Sequence, residues 1–155
     1  MTVSLGQGSS DDLDSVMAVM SAAFAERYGE AWTRSQCAGI LPMTGVKLVL
    51  ARNAGGKVVG FSLYRTVVDD AELLLLAVDP AVQGNGVGRD LLGYFIEDAR
   101  KKGAERIHLE VRDGNPAVRV YKAAGFEQAN RRTNYYRGRG GGAFDALTFV
   151  LAAEP

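Results

Sequence analysis

Cysteine, histidine and long apolar stretches are nearly absent from this 155-residue chain. The single cysteine, Cys37, excludes an internal disulfide, and with the single histidine, His108, it cannot build a closed metal site. No apolar run approaches the ~20 residues that a membrane helix needs, and the first residues lack the basic-then-apolar pattern of an export signal. We therefore expect no metal, no membrane association and a cytoplasmic location.

An excess of charge of either sign is also missing. The 18 Lys and Arg residues balance the 18 Asp and Glu residues, so no global field draws the chain to nucleic acid or anionic lipid. Arg131, Arg132, Arg137 and Arg139 form a basic cluster, but without aromatic residues interleaved at the spacing used to read bases. We expect no direct nucleic-acid partner. The length and the 47% apolar content predict one domain over residues 1–155 with one core.

Apolar periodicity predicts alternating strands and helices. Thr33 and Gln36 have the spacing of a capping box, and Pro42 ends that helix. The glycine-rich residues 137–142 are expected to form a mobile loop. The predicted elements are a strand over 2–5, helices over 13–24 and 33–41, strands over 46–52, 58–67 and 71–78, a helix over 87–101, a strand over 106–111, a helix over 116–125, and strands over 126–136 and 144–151. This order predicts an α/β fold, a mixed sheet of six or seven strands with four helices on both faces.

The most distinctive segment is a glycine-rich turn between an apolar strand and an amphipathic helix. Glycines let the backbone approach a ligand closely, and the first turn of a helix offers N–H groups that suit a pyrophosphate. A P-loop requires Gly-Lys-Ser/Thr where this chain has Gly88-Arg89-Asp90, and the dinucleotide fingerprint requires a third glycine at Arg89. The segment therefore predicts a different anion cradle, with a nucleotide-binding module as an alternative. The cradle comprises Gln83, Gly84, Asn85, Gly86, Val87, Gly88 and Arg89.

The spacing of Gln83, Gly86 and Gly88 resembles the acyl-coenzyme A loop of the GNAT acetyltransferases, a Gln/Arg-x-x-Gly-x-Gly/Ala pattern. Further similarity to that family follows in the same order along the chain, at Leu109-Glu110-Val111-Arg112, Asn115, Tyr121 and Gly125-Phe126. The segment 131–136, Arg-Arg-Thr-Asn-Tyr-Tyr, is similar to one in the bacterial ribosomal-protein-alanine N-acetyltransferases. The resemblance spans roughly residues 32–151.

This resemblance implies a fold and a cofactor. The fold is a mostly antiparallel central sheet in which the strands over 71–78 and 106–111 splay apart around the arm of acetyl-CoA. The cofactor would lie along residues 83–89 and contact Asn115 and Tyr121. Ala77 and Val78 would pair with its amides through their free backbone edge, and the Val78 N–H would be the oxyanion donor. The arginines between 131 and 139 would contact the 3′-phosphate or form a solvated face.

Two residues are candidates for acid–base chemistry. Glu110 lies inside an apolar strand, where partial burial would make its carboxylate a stronger base. The alternative is an ion pair with Arg106 or Arg112 on the same strand. Tyr121 has a phenol that stays protonated at pH 7 and can donate to a thiolate, although packing is the usual role of such a tyrosine. The resemblance implies that Glu110 is the general base and Tyr121 the general acid.

The acceptor is expected to be a protein α-amine. An α-amine with a pKa near 8 costs roughly 1.4 kcal/mol to deprotonate at pH 7, against roughly 4.6 kcal/mol for a lysine, so a modest base suffices. By resemblance the acceptor is the N-terminal alanine of a ribosomal protein, which would attack directly in a ternary complex. Phe144 stands where the family has an acidic residue, and the glycines at 140–142 also depart from its pattern. A small-molecule amine, a lysine side chain and a non-catalytic acyl-CoA sensor are the alternatives.

Candidate acceptor-binding residues share a polar or aromatic side chain near the predicted site: Tyr28, Trp32, Glu72, Asn134, Tyr135 and Asp145. Several also have plain structural interpretations. Trp32 can pack in the core, Glu72 can be an exposed strand end, and Asn115 can cap its helix. His108 shares a strand face with Glu110 and could tune it, but a structural role is expected. The protein is expected to be a monomer or weak dimer.

Overall fold

The computed structural model describes residues 2–152, which form one seven-stranded sheet with four α-helices. None of the helices in this range is long and apolar enough to cross a bilayer. Short 3-10 turns lie at Ser10–Asp12, Glu26–Tyr28 and Pro80–Val82. The elements are β1 (Ser4–Gln7), α1 (Leu13–Ala23), α2 (Arg34–Ile40), β2 (Val46–Arg52), β3 (Val58–Val67), β4 (Asp70–Val78), α3 (Val87–Lys101), β5 (Arg106–Arg112), α4 (Val118–Ala123), β6 (Phe126–Arg137) and β7 (Ala143–Leu151).

The predicted bounds agree with most of these elements. The capping box of α2 is confirmed, since the Gln36 N–H donates to Thr33 Oγ1 at 3.1 Å and the Thr33 N–H donates to Gln36 Oε1 at 2.7 Å. The strand predicted over 2–5 begins later, because Ser4 to Gln7 are the residues that pair with β2. The helix predicted from 116 begins at Val118, because the preceding turn is closed by short i to i+3 bonds.

Strand order in the sheet is β1-β2-β3-β4-β5-β7-β6, and β4 with β5 is the parallel pair. Their pairing runs from Asp70 opposite Arg106 to Leu73 opposite Leu109 and then ends, although both strands continue. At the same level, Leu74 is an extra residue in the ladder between β3 and β4. The predicted splay of the two central strands is therefore confirmed, and it opens a slot between them.

Two apolar layers cover the sheet. Helices α1 and α2 pack on one face, and α3 and α4 on the other. Along β2, Leu48 and Leu50 pack into the first layer, whereas Val49 and Ala51 pack into the second. Because both faces are buried, this strand is apolar throughout rather than alternating with polar residues.

A polar network fixes α3 to the sheet. The hydroxyl of the fully buried Tyr64 donates to Asp98 Oδ2 at 2.6 Å, and the Nζ atoms of Lys47 and Lys102 lie 3.3 Å and 3.1 Å from the same oxygen. Burial raises the pKa of the Asp98 carboxyl, but the hydrogen bonds from Tyr64 and Lys102 outweigh it and the net pKa is lowered. A lowered carboxyl pKa stabilises the fold above the unfolded-state pKa, and this contribution disappears as the pH falls through the folded-state pKa.

We expect Asp98→Asn to lower the free energy of unfolding at pH 7 by about 1–3 kcal/mol, because buried donors lose an ionised acceptor. The difference from wild type should shrink below pH ~4, where the carboxyl is protonated in the unfolded chain. Urea unfolding at pH 7 and pH 3 measures both values. The control is Asp14→Asn, which breaks the exposed ion pair with Arg34 and should cost little. An equal loss at both pH values would contradict the prediction.

Candidate active site

Two adjoining cavities lie along the slot between β4 and β5. The loop groove, of about 710 Å³, is bounded by the end of β4, the glycine-rich turn and the residues leading into α4. The inner pocket, of about 160 Å³, is bounded by β4, β5 and β6. The two cavities adjoin each other, because they have five lining residues in common: Phe24, Glu30, Leu76, Arg112 and Asn115.

Backbone N–H groups line the loop groove at the start of α3. Gly84 and Gly86 have φ angles of +87° and +82°, which L side chains rarely adopt. The Asp90 N–H bonds back to the Gly86 carbonyl at 3.0 Å, so the N–H groups of Val87, Gly88 and Arg89 precede the first closed turn of the helix. These donors, at the positive end of a 15-residue helix, suit an anionic phosphate group.

Two side chains of the turn hold it in place. Gln83 Nε2 donates to the Val78 carbonyl at 3.0 Å, which ties the turn to the end of β4. Asn85 Nδ2 donates to the Val82 carbonyl at 2.9 Å, and Asn85 is the one residue of the predicted cradle that does not line the loop groove. The Asn85 amide thus helps to hold the turn, and the expected ligand contact at Asn85 stays a prediction.

The backbone edge that faces the slot also differs from the predicted one. The Asp79 N–H donates to the Val59 carbonyl at 2.8 Å, and hydrogen bonds of an antiparallel strand alternate between its two edges. Val78 and Leu76 therefore direct their backbone groups into the slot, whereas Ala77, opposite Phe61, directs its own toward β3. Ala77 still lines the loop groove. Since Gln83 occupies the Val78 carbonyl, the Val78 N–H is the group left for a ligand.

Five residues predicted from the sequence come together in the inner pocket: Trp32, Glu72, Glu110, Tyr121 and Tyr135. Glu110 projects from β5 with 17% of its side chain exposed, and Tyr121 projects from α4 with 5% exposed. Trp32 also packs against the α1 layer, as its structural interpretation expects. A carboxylate and a phenol thus face one small cavity next to a larger groove, an arrangement able to accept and to donate a proton.

Glu110 has an ion-pair partner that the sequence did not indicate. Arg132 Nε, on β6, lies 2.8 Å from Glu110 Oε1. The two expected partners are engaged elsewhere, since Arg106 lies 3.8 Å from Asp70 and Arg112 Nε lies 3.1 Å from Glu30 Oε1. The basic partner of Glu110 therefore comes from the edge of the sheet rather than from its own strand.

Burial changes the acid–base behaviour of two pocket residues. Desolvation raises the pKa of the Tyr121 phenol, and the nearby Tyr136 and Glu30 raise it further, so the phenol stays protonated at neutral pH. Desolvation also raises the pKa of Glu72, although His108 partly opposes the shift. No group of three His, Cys, Asp or Glu side chains within residues 2–152 could hold a metal ion.

Sequence reasoning missed a buried polar cluster where the two cavities meet. Glu30 Oε1 lies 3.1 Å from Arg112 Nε and accepts a hydrogen bond of 2.8 Å from Asn115 Nδ2. The Arg112 guanidinium carbon lies 3.6 Å from the centre of the Tyr28 ring. Asn115 Oδ1 also accepts from the Ala117 N–H at 2.8 Å, so its expected capping role is present. The one sequence signal that could have indicated Glu30 is a carboxylate close to Trp32 in the chain.

Two candidate acceptor-binding residues take part in a turn of β6 instead of lining the inner pocket. Asn134 has a φ of +53°, and its N–H donates to Asp145 Oδ1 at 2.9 Å. Asp145 Oδ2 lies 2.8 Å from Arg131 Nη1, which also bonds Asp113. Both Asp145 oxygens therefore stabilise a bulge of β6, and the expected acceptor contacts at Asn134 and Asp145 stay predictions.

The other predicted residues are His108, Tyr28 and the clustered arginines, and most of the charged ones bind carboxylates within the protein. His108 Nε2 lies 2.9 Å from Asp70 Oδ2, and not on Glu110. Tyr28 lines the loop groove rather than the inner pocket. Of the four clustered arginines, Arg131, Arg132 and Arg139 form ion pairs with carboxylates. The cluster is therefore largely neutralised within the protein.

The loop expected to be mobile is docked against the turn after α1. The Arg139 N–H donates to the Glu26 carbonyl at 3.0 Å, and Arg139 Nη1 lies 2.8 Å from Glu26 Oε2. A Cβ on Gly29 would overlap the Arg137 carbonyl oxygen, and one on Gly138 would overlap that of Arg27. Residues 26–29 and 137–139, here named the clasp, thus join two walls of the inner pocket.

Comparison with known proteins identifies the family. The family model described as Acetyltransferase (GNAT) family matches residues 13–126, most of the chain. The chain belongs to the GNAT acetyltransferase family. The expected GNAT fold, with its splayed central strands, is confirmed.

Relatives of this GNAT protein include ribosomal protein bS18-alanine N-acetyltransferases. The Haemophilus influenzae protein of that name is 38% identical over 94 residues, which cover 61% of this chain and 64% of the relative. The Haemophilus ducreyi protein is 33% identical over 128 residues, 75% of this chain and 87% of the relative. The match spans less than two thirds of the H. influenzae relative's length. The crystal structure of the Escherichia coli S18-alanine enzyme superposes with a TM-score of 0.86 at 29% identity, covering 99% of this chain and 97% of that one.

Proposed function

We propose that this GNAT protein is an N-terminal protein acetyltransferase that moves the acetyl group of acetyl-CoA directly to a protein α-amine in a ternary complex. The observation that carries the proposal is that two cavities adjoin. One cavity is lined by the N–H donors of a glycine turn, and the other by Glu110 and Tyr121. The donor would therefore lie in the first cavity and the acceptor in the second, next to the carboxylate and the phenol.

The residues of the loop groove fit acetyl-CoA. The left-handed Gly84 and Gly86 and the first turn of α3 provide close backbone N–H donors for its pyrophosphate. Val78 offers one slot-facing N–H for an amide or thioester carbonyl. The groove volume of about 710 Å³ lies in the range of small-molecule sites. Gln83, Gly84, Gly86, Val87, Gly88, Arg89 and Asn115 would bind the cofactor, with Ala77 contributing side-chain surface.

Acetyl-CoA supplies an activated acetyl thioester, and the side chains around it manage two protons. Glu110 would accept a proton from the acceptor amine, directly or through water, as general base. Tyr121 would donate its proton to the departing sulfur as general acid, which its buried, protonated phenol supports. The Val78 N–H would donate to the carbonyl oxygen as charge develops there.

The acceptor we propose is the N-terminal alanine of a ribosomal protein. The names of the H. influenzae and H. ducreyi relatives, which act on ribosomal protein bS18, support this choice. Trp32, Glu72 and Tyr135 would contact the acceptor peptide, since they line the inner pocket. The proposal includes a single domain over residues 1–155 that acts as a monomer or weak dimer in the cytoplasm.

The experiment that tests this function follows thiol release from acetyl-CoA with three acceptors. They are an alanine-starting peptide, an N-terminally blocked copy that contains lysine, and a small polyamine, with products read by mass spectrometry. Acetylation confined to the free α-amine is the expected result. Modification of the blocked peptide or the polyamine would replace the acceptor class, and cofactor binding without turnover on any acceptor would indicate a non-catalytic sensor.

The clasp provides a structural test of the acceptor site. In Gly138→Ala the new methyl group overlaps the Arg27 carbonyl oxygen, so the clasp must separate and the pocket walls must move apart. We expect the KM for the acceptor peptide to rise roughly tenfold, a cost of about 1.4 kcal/mol, while the Kd for acetyl-CoA stays unchanged. Gly93→Ala is the control, because a Cβ there meets open space. Equal acceptor KM values in the two variants would contradict the prediction.

A further inference from the structure

Arg132 reaches the proposed base from outside the inner pocket. Its Nε atom lies 2.8 Å from Glu110 Oε1, yet Arg132 does not line the pocket, whereas Glu110 does. One carboxylate oxygen is thus engaged by the guanidinium, and the other remains for the pocket. Within residues 2–152, Arg132 is the one charged side chain that forms an ion pair with Glu110.

The sheet makes this contact possible across an intervening strand. Glu110 of β5 pairs with Thr148 of β7, and Arg132 of β6 pairs with Ala146 of β7. Positions 146 and 148 point to the same face, so Glu110 and Arg132 lie on that face with β7 between them. Because Ala146 is small and fully buried, the arginine side chain can cross above it.

The backbone on both sides of Arg132 is fixed. Arg131 Nη1 bonds Asp113 and Asp145, each at 2.8 Å. After Arg132 the ladder of β6 is interrupted, and the bulge is anchored by the left-handed Asn134, whose N–H donates to Asp145. The Arg132 guanidinium also lies 5.3 Å from the centre of the Tyr135 ring. The bulge thereby aims Arg132 at Glu110 from a defined position.

We infer that Arg132 is a positioning residue that holds one oxygen of Glu110 and leaves the other directed to the acceptor amine. The inference rests on the proposed function, because it requires Glu110 to be the base. Arg132 has 54% of its side chain exposed, so the ion pair adds little to stability and substitutions should fold. We expect the loss of Arg132 to lower kcat, because without the guanidinium the Glu110 carboxylate samples other rotamers and loses a neighbouring positive charge.

The test compares Arg132→Gln and Arg132→Lys with Arg34→Gln, which removes the same charge from a similarly exposed, ion-paired side chain that lines neither cavity. For Arg132→Gln we expect kcat to fall roughly 5- to 10-fold with an unchanged KM for acetyl-CoA. Arg132→Lys keeps a positive charge beside the carboxylate and should therefore recover most of the lost kcat, a rescue that a merely structural role would not predict.

The inference is overturned if Arg132→Gln matches Arg34→Gln in kcat while Glu110→Gln is strongly impaired. That result would leave the base assignment intact. If Glu110→Gln itself turns over like wild type, the base assignment fails and the inference falls with it. A double variant, Arg132→Gln with Glu110→Gln, should be no slower than Glu110→Gln alone, since a positioning residue acts only through the group that it positions.

Discussion

Glu110→Gln is expected to lower kcat for an alanine-starting peptide by at least about 100-fold, the usual contribution of a general base. Glutamine has nearly the same shape but cannot accept the amine proton at neutral pH. The side chain is 17% exposed and lines the inner pocket but not the loop groove, so the Kd for acetyl-CoA should not change. Thiol-release assays measure kcat, and titration with acetyl-CoA measures the Kd.

Two controls make this result specific. Thermal unfolding of Glu110→Gln should match wild type closely, because its ion pair with Arg132 is partly exposed. Raising the pH should recover part of the lost rate, since an α-amine with a pKa near 8 then loses its proton to solvent. Turnover above a tenth of wild type at pH 7 would remove Glu110 from the role of base.

Tyr121→Phe is expected to lower kcat by about 100-fold, because the departing thiolate loses its proton donor. The ring should pack as before: Tyr121 is 5% exposed, and its ring centre lies 6.1 Å from that of Phe126 in an edge-to-face contact. Burial, Tyr136 and Glu30 raise the pKa of the Tyr121 phenol, so wild type should show no loss of acid catalysis up to pH ~9. A pH series of kcat for both proteins measures this behaviour.

A second phenol in the inner pocket provides the competing assignment. Tyr136 also lines the pocket, and burial, followed by Glu30 and Glu110, raises its pKa. A larger loss of kcat in Tyr136→Phe than in Tyr121→Phe would transfer the acid role to Tyr136. Tyr94→Phe is the control for loss of a phenol elsewhere, because Tyr94 lies on α3 beside Lys47 and lines neither cavity.

Local signals in the chain predicted most elements correctly. The strands Val46–Arg52 and Val58–Val67 and the helix Val87–Lys101 have the predicted bounds, because apolar periodicity, a capping box and glycine turns act within a few residues of one another. The predicted loop after β6 is present, since β7 begins only at Ala143. Its glycines alone did not indicate that Gly138 is required by close contact with the Arg27 carbonyl.

Contacts between distant positions explain what was missed in the site. Glu30 bonds Asn115 across 85 positions, and Arg139 bonds Glu26 across 113. No sequence period links such residues, so neither the polar cluster between the cavities nor the clasp could be derived from the chain. The backbone edge at β4 was misassigned by one residue at Ala77, because the direction of each hydrogen bond depends on the register with β3.

The sequence by itself determined the family and the glycine turn at the start of α3, since these depend on residue types at short spacings, and by resemblance it indicated Glu110 and Tyr121 as candidates. The tertiary structure alone decided that Arg132 crosses β7 to Glu110, that Asp145 anchors a bulge of β6, and that Glu30 joins the two cavities. These arrangements depend on strand order and register, and strands far apart in sequence become neighbours only when the sheet has formed.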